Sequence, residues 1–290
     1  MMNNSLQNWP NGTRVALVFQ LMLEQWAGPY VESGWHLCPS ISADEIKRGV
    51  QDLSTLSWQA YGGKAGFYRL MDMTHRHGIV ASGVFSGVAI ERYPDVAQEF
   101  VERGNEIVAH GWSQEIRSFR LTDHDMLENI KRTQKIIQDT TGYQAAGWMS
   151  PMAQPGENSM RLLAQEGFLY TMDSAEDDYS VIHKISDHTI VSVPTSFDVN
   201  DHQIYLRSLN PPSAYVEVFK RNLDVLIEES RQGPPRVMSA VFNANLYGHP
   251  LGTWALQECI RYAKGLPDIW ITTHRAHAEH LLNHASNALA

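Results

Sequence analysis

The first apolar run of the chain, Val15-Ala16-Leu17-Val18-Phe19-Gln20-Leu21-Met22-Leu23, follows the turn residues Asn11-Gly12 and reads as a buried strand. Residues 24–56 are polar and aromatic and hold Pro29, Gly34 and Pro39. They predict a long loop, and ordered loops of that length usually carry function. Helical and strand periods then alternate. Residues 65–77 repeat apolar positions at helical spacing and stop at Gly78; 79–88 read as a strand, 94–103 as a helix closed by Gly104, and 106–110 as a strand. Thr122 N-caps a helix running to Asp139, with Asp123 and Asp125 in its first turn, where the helix dipole favours negative charge. Residues 145–148 predict a short strand, 158–166 a helix ended by Gly167, and 168–170 and 190–193 two further strands. A long amphipathic helix over 213–231 precedes Gly233-Pro234-Pro235; a strand (237–242), a helix (253–264), a strand (269–271) and a helix (276–286) follow. This alternation predicts an α/β fold, a parallel sheet or barrel with right-handed crossovers. No linker, repeat or low-complexity segment divides it, so residues 1–290 read as one domain, a length that suits a barrel of about 250 residues.

In such folds the reacting groups gather where strands end. Four places qualify. Glu24 directly follows the first strand, and His110 ends the third, before Gly111-Trp112-Ser113-Gln114-Glu115. Ser150-Pro151 follows the short strand at Trp148, and Asn243 and Asn245 follow the strand over 237–242. Each polar group ends an apolar strand, so all are expected to face one cleft. Trp26, Trp35, Trp58 and Trp112 lie in or beside the loops of that cleft and would suit a flat ring. His274, His277, His280 and His284 read as surface histidines. Tyr61-Gly62-Gly63-Lys64 lacks the preceding strand and the spacing of a phosphate-binding loop, and no G-x-S-x-G elbow occurs.

The net charge of −9 and the lack of a basic stripe argue against nucleic acid and anionic membrane as partners. A small-molecule substrate is expected instead. The N-terminal residues show neither a basic n-region nor a cleavage site, and the run at 15–23 is too short to span a bilayer. Cys38 and Cys259 match no disulfide framework or zinc spacing. A reduced, cytoplasmic enzyme is the expectation.

Several stretches resemble the polysaccharide deacetylase family, and within it the allantoinase-like branch that opens ring amides. They are Tyr61-Gly-Gly-Lys-Ala-Gly-Phe-Tyr-Arg-Leu70, the block from Ala89 through Trp112 with its core Gly104-Asn-Glu-Ile-Val-Ala-His-Gly-Trp112, and Gly147-Trp148. Arg161-Leu-Leu-Ala-Gln-Glu-Gly-Phe-Leu-Tyr170, Asp173-Ser174, Asp177-Asp178 and Phe197-Asp198-Val-Asn200-Asp201 continue the likeness. The resemblance implies a distorted (β/α) barrel and hydrolysis of a non-peptide C–N bond, most naturally in a small cyclic amide, ureide or imide. A carbohydrate N-deacetylase and a non-catalytic small-molecule-binding relative are the alternatives. It further implies a homo-oligomer, a dimer or tetramer.

The chain departs from the family where metal-dependent deacetylases hold their ion. The Asp pair after strand one is replaced by Glu24-Gln25, and the second histidine of H-x-x-x-H by Gln114. The Arg before the proline is Met149, and the Leu-His pair is Phe242-Asn243. A divalent zinc, were one bound, would rest on Glu24 and His110, and catalytic zinc wants three such ligands. The expected catalytic set is Glu24 as base, His110 to polarise a carbonyl or pass a proton, and Ser113, Gln114 and Asn243 as hydrogen-bond donors to an oxyanion. Trp26, Trp112, Ser150 and Asp198 are the expected substrate-binding residues.

Overall fold

The computed structural model describes residues 9–27 and 41–287. Strand β1 (Val15–Leu23) is followed by helices α1 (Ala43–Lys47) and α2 (Leu53–Tyr61), a π-helical turn over Gly62–Gly66, and α3 (Phe67–Arg76). Next come β2 (Ser82–Phe85), α4 (Gly87–Arg92), α5 (Pro94–Glu102), β3 (Glu106–Ala109), α6 (Asp123–Thr141), β4 (Gly147–Trp148) and α7 (Ser159–Gln165). The second half holds β5 (Tyr170–Ser174), β6 (Val181–Ile185), β7 (His188–Pro194), α8 (Pro212–Gln232), β8 (Arg236–Asn243), α9 (Pro250–Lys264), β9 (Ile269–Thr272) and α10 (His274–Asn287).

The strands form one sheet in the order β6-β7-β5-β4-β3-β2-β1-β8, with β9 pairing the first half of β1. All pairs are parallel except the hairpin β6–β7. The sheet curls into an open, incomplete barrel, as the resemblance implies. Residues of the segment between β5 and α8 dress its seam. Alternate N–H groups on the free edge of β8 are taken by Asp178 O (from Val237), Ser196 Oγ (from Ser239), Val199 O (from Val241) and the Asp201 carboxylate (from Asn243). An unpaired buried N–H would cost free energy comparable to a lost hydrogen bond, so this irregular segment finishes what a strand would have done.

Period-two alternation sorts the strand side chains into two cores. Leu17, Phe19, Leu21 and Leu23 of β1 join Ile107 and Ala109 of β3 and Ala240 and Phe242 of β8 under the helices. Ala16, Met22, Val84, Val108, Met149, Tyr170, Met172, Val191, Val193, Val237 and Val241 fill the barrel interior. At the bottom of that interior Glu106 accepts from Ser82 Oγ–H (2.6 Å), from the Tyr170 hydroxyl and from the Arg275 N–H (3.1 Å). This buried carboxylate therefore sits on the first turn of α10, where the dipole favours it.

Several expectations change. Within residues 41–56, read as loop, the chain forms α1, with a capping box from Ser42 and Glu45, and enters α2, capped by Asp52; residues 28–40 lie outside the described residues. The strand expected over 79–88 spans only Ser82–Phe85, because the N–H groups of Gly87 and Val88 turn to Gly111 O and Trp112 O and α4 begins. Strand β6 was not foreseen, and β5 continues past Tyr170. His274 and His277 are buried, not surface, residues. They bond through Nε2 to Ser239 and Ser180, and burial lowers both to about 3, so they sit neutral beneath the barrel.

Candidate active site

The same alternation that points Met22 inward carries Glu24 inward one step beyond β1. It likewise turns His110 inward after Val108, and Asn243 after Val241. All three line a small cavity of about 70 Å³ at the C-terminal mouth of the barrel, together with Met22, Met149 and His202. His110 is fully buried and Glu24 is the more open partner, its side chain 13% exposed.

Glu24 Oε1 and His110 Nε2 are 3.0 Å apart, and His110 Nδ1 lies 2.8 Å from Met149 O. A carbonyl can only accept, so Nδ1 carries a hydrogen. Nε2 then faces a carboxyl oxygen, and a hydrogen bond between the two requires one proton in the contact. It resides on the carboxyl of an imidazole–acid pair or on the ring of an imidazolium–carboxylate pair. The backbone fixes both ends: His110 N–H bonds to Phe85 O and Met149 N–H to Ala109 O, so the β2–β3–β4 register sets the ring's place.

Asp201 lies behind Asn243. It accepts from the Asn243 N–H (2.7 Å) and from its side-chain Nδ2–H (2.5 Å). Burial pushes the Asp201 carboxyl up to about 8, against the pull of the Asn243 donors. His202, the next residue, is lowered to about 4 by burial, with the Glu24 charge acting the other way. Sequence reasoning stopped at Asp201 as part of a resemblance and missed His202. No local signal marks either residue; the bridge pairing of Asn200 with Val241, a tertiary contact, sets both beside β8.

The structure brings together Glu24, His110 and Asn243, and places the other expected residues differently. Ser113 is buried and accepts from the Ala27 N–H (2.9 Å) while donating to Glu115. Gln114 is buried, its side-chain Nε2 is without a partner among the described residues, and it is not among the described residues lining the cavity. Gln25 turns away as well, joining Ser86, Gln59 and Arg92. Trp112 packs under the Arg132 guanidinium, 3.3 Å from its ring centroid, and Trp26 packs with Trp58, Met152 and Leu206. Neither tryptophan lines the cavity. Ser150 is fully buried, accepting from Trp148 Nε1–H and donating to Asp173, and Asp198 is exposed to solvent. The two tryptophans and Ser150 thus support the walls, while Phe197 and Asn200 represent the 197–201 element in the lining.

The donor set does not suit a divalent ion. Glu24 and His110 are committed to each other and to Met149 O, Met22 and Met149 occupy the neighbouring lining, and no group of three His, Cys, Asp or Glu side chains converges among the described residues. No cationic side chain other than histidine is present in the described lining. The arrangement can hold and move a proton, and it can hydrogen-bond a small polar group.

Residues 60–171 match the family described as polysaccharide deacetylase. A Schizosaccharomyces pombe protein described as "Putative polysaccharide deacetylase" is 24% identical over 93% of this chain and 91% of its own length. A Helicobacter pylori peptidoglycan deacetylase is 24% identical over 59% of this chain and 52% of its own length. The crystal structure of PuuE allantoinase superposes with a TM-score of 0.80 at 25% identity, covering 94% of this chain and 91% of that one.

Proposed function

We propose that this protein belongs to the polysaccharide deacetylase family that its residues 60–171 match, that it hydrolyses a non-peptide C–N bond, and that its substrate is a small cyclic amide, ureide or imide. The observation that carries the reading is the proton-sharing contact between Glu24 and His110 at the barrel mouth. Hydrolysis of a ring amide needs a proton taken from the attacking water and one given to the departing nitrogen. A carboxyl–imidazole pair with one mobile proton can do both, and such positioned proton transfer is worth about 10²- to 10⁴-fold.

Four features support the substrate class. The cavity of about 70 Å³ is far smaller than the roughly 300–1,000 Å³ of sites that enclose a drug-sized ligand, so a compact ring fits this reading better than a sugar chain. Its described lining carries no Lys or Arg to anchor a carboxylate or phosphate, which favours a neutral ring. Asn243 gives one side-chain N–H to Asp201 and keeps its amide oxygen and second N–H for the –NH–CO– edge of such a ring. The likeness to an allantoinase over nearly the whole chain supports the same class.

The test is turnover of hydantoin, dihydrouracil, succinimide and allantoin by the purified protein, with Glu24→Gln as the control and chito-oligosaccharide as the competing class. Ring opening that is lost in Glu24→Gln is the expected result. Acetate release from the oligosaccharide without ring opening would overturn the reading.

A further inference from the structure

Asp173 stands in a matched stretch, Asp173-Ser174, that the site as described does not use. It lies on β5, one strand beyond the loop carrying Met149 and Ser150. Its Oδ1 accepts the Ser150 backbone N–H at 2.6 Å, and its Oδ2 accepts the Ser150 hydroxyl at 2.8 Å. That backbone N–H belongs to the same peptide group as the Met149 carbonyl, whose oxygen accepts from His110 Nδ1–H at 2.8 Å. On the far side of the ring, Nε2 meets Glu24 at 3.0 Å. An unbroken line of four groups therefore runs Asp173–peptide–His110–Glu24.

We propose that Asp173 is a positioning residue for His110, acting through the Met149–Ser150 peptide bond. A peptide group is conjugated, so a negative charge bonded to its N–H shifts electron density toward its oxygen. The Met149 carbonyl becomes a stronger acceptor, and successive hydrogen bonds of such a chain polarise one another, from half-buried Asp173 inward to the fully buried His110. The effect holds the hydrogen on Nδ1, fixes the ring plane and leaves Nε2 directed at Glu24. Histidines in functional sites are commonly set by the bond their other nitrogen makes, and here a carboxylate acts at one peptide's remove. Burial raises the Asp173 carboxyl, while both Ser150 bonds and the nearby His110 ring favour its charged form. This proposal rests on the hydrolase reading only for its consequence in turnover; the arrangement itself is measurable without substrate.

The experiment is proton–nitrogen correlation NMR of protein labelled with ¹⁵N-histidine, observing the His110 Nδ1–H. In the unmodified protein it is expected far downfield and slow to exchange, with Nδ1 protonated. Asp173→Asn removes the charge and is expected to move it upfield and speed its exchange. Asp173→Ser is the second variant, with the same expectation, should Asp173→Asn not fold. Ser150→Ala removes only the hydroxyl arm and keeps the peptide N–H, so the resonance is expected to stay in place. A merely structural clamp would instead make Ser150→Ala and Asp173→Asn alike, and an unmoved resonance in the Asp173 variants would overturn the proposal. Should a ring substrate be turned over, Asp173→Asn is expected to lower kcat about 10- to 100-fold, the range for partners that orient functional histidines, with KM little changed. Failure to turn over any ring with the NMR result intact would sink the hydrolase reading and leave the positioning role standing.

Discussion

Gly66→Ala separates two opposed effects at a position where the structure decides the sign. Gly66 ends the π-helical turn and has ordinary right-handed helical backbone, φ −63° and ψ −48°. On conformational grounds alone, alanine there would stabilise by up to about 1 kcal/mol, since glycine is the poorer helix former. A Cβ at this position, however, would fall inside the Ala244 carbonyl oxygen and 3.0 Å from its carbonyl carbon. Both are backbone atoms of the turn after β8, so no flexible side chain can yield. Overpacking of this kind typically costs about 1–3 kcal/mol; with backbone atoms that cannot yield, the upper part of that range, about 2–3 kcal/mol, applies, and the collision should exceed the helical gain by about 1–2 kcal/mol. For a chain somewhat larger than 250 residues that is a fall in melting temperature of roughly 2–8 °C. Ala244 adjoins Asn243, so relief of the collision displaces the cavity wall. A misplacement of about 1 Å can reduce turnover about 10²-fold. Thermal unfolding by circular dichroism, followed by ring-opening assays at a temperature where the variant is folded, measures both. A variant melting at or above the parent temperature would refute the reasoning, because helix propensity would then have outweighed the contact.

Three other outcomes are expected. Glu24→Gln and His110→Asn should each reduce ring opening about 10²- to 10⁴-fold while the protein stays folded, as checked by steady-state kinetics beside thermal melts. Asp201 titrates at about 8 when folded and near 3.9 when unfolded, so its contribution to stability is complete below about pH 4 and is lost as pH rises toward 8. The stability of the parent minus that of Asp201→Asn should therefore shrink with rising pH, by at most about 1.4 kcal/mol per unit, in urea melts at pH 5 and pH 8; a constant difference would contradict the assignment. Treatment with a chelator should leave turnover and melting temperature unchanged, given the donor set around Glu24 and His110, and a loss restored by added zinc would contradict that.

The glycines of residues 61–70 serve close packing. Gly62, Gly63 and Gly66 lie so close to Asn245, Tyr93 and Ala244 that a Cβ on any of them would strike its neighbour. Trp58 Nε1–H bonds to Asn245 O, and the Asn245 side chain returns to Trp58 O and Gln59 O. The glycine run thus seats the turn that presents Asn243, and its part in the site is indirect.

What the sequence by itself determined was periodicity. The alternation of apolar runs and helical stretches specified the order of strands β1 to β5 and β7 to β9, because burial against a sheet or under a helix imposes periods of 2 and 3.6 on any chain. It also specified that Glu24, His110 and Asn243 share one face, since each continues the inward phase of its strand. Tertiary structure decided the rest. Whether Ser113 and Gln114 reach the cavity depends on how the loop after β3 folds back on Gln25 and Ala27, which no local period records. His274 and His277 look like surface residues on a short polar helix, yet the open bottom of the barrel takes that helix in and strips both of water. Asp201 and Asp173 carry no local mark of their partners. Asn243 is 42 residues from the first, and Ser150 23 residues from the second, and only the curl of the sheet brings them within hydrogen-bonding distance.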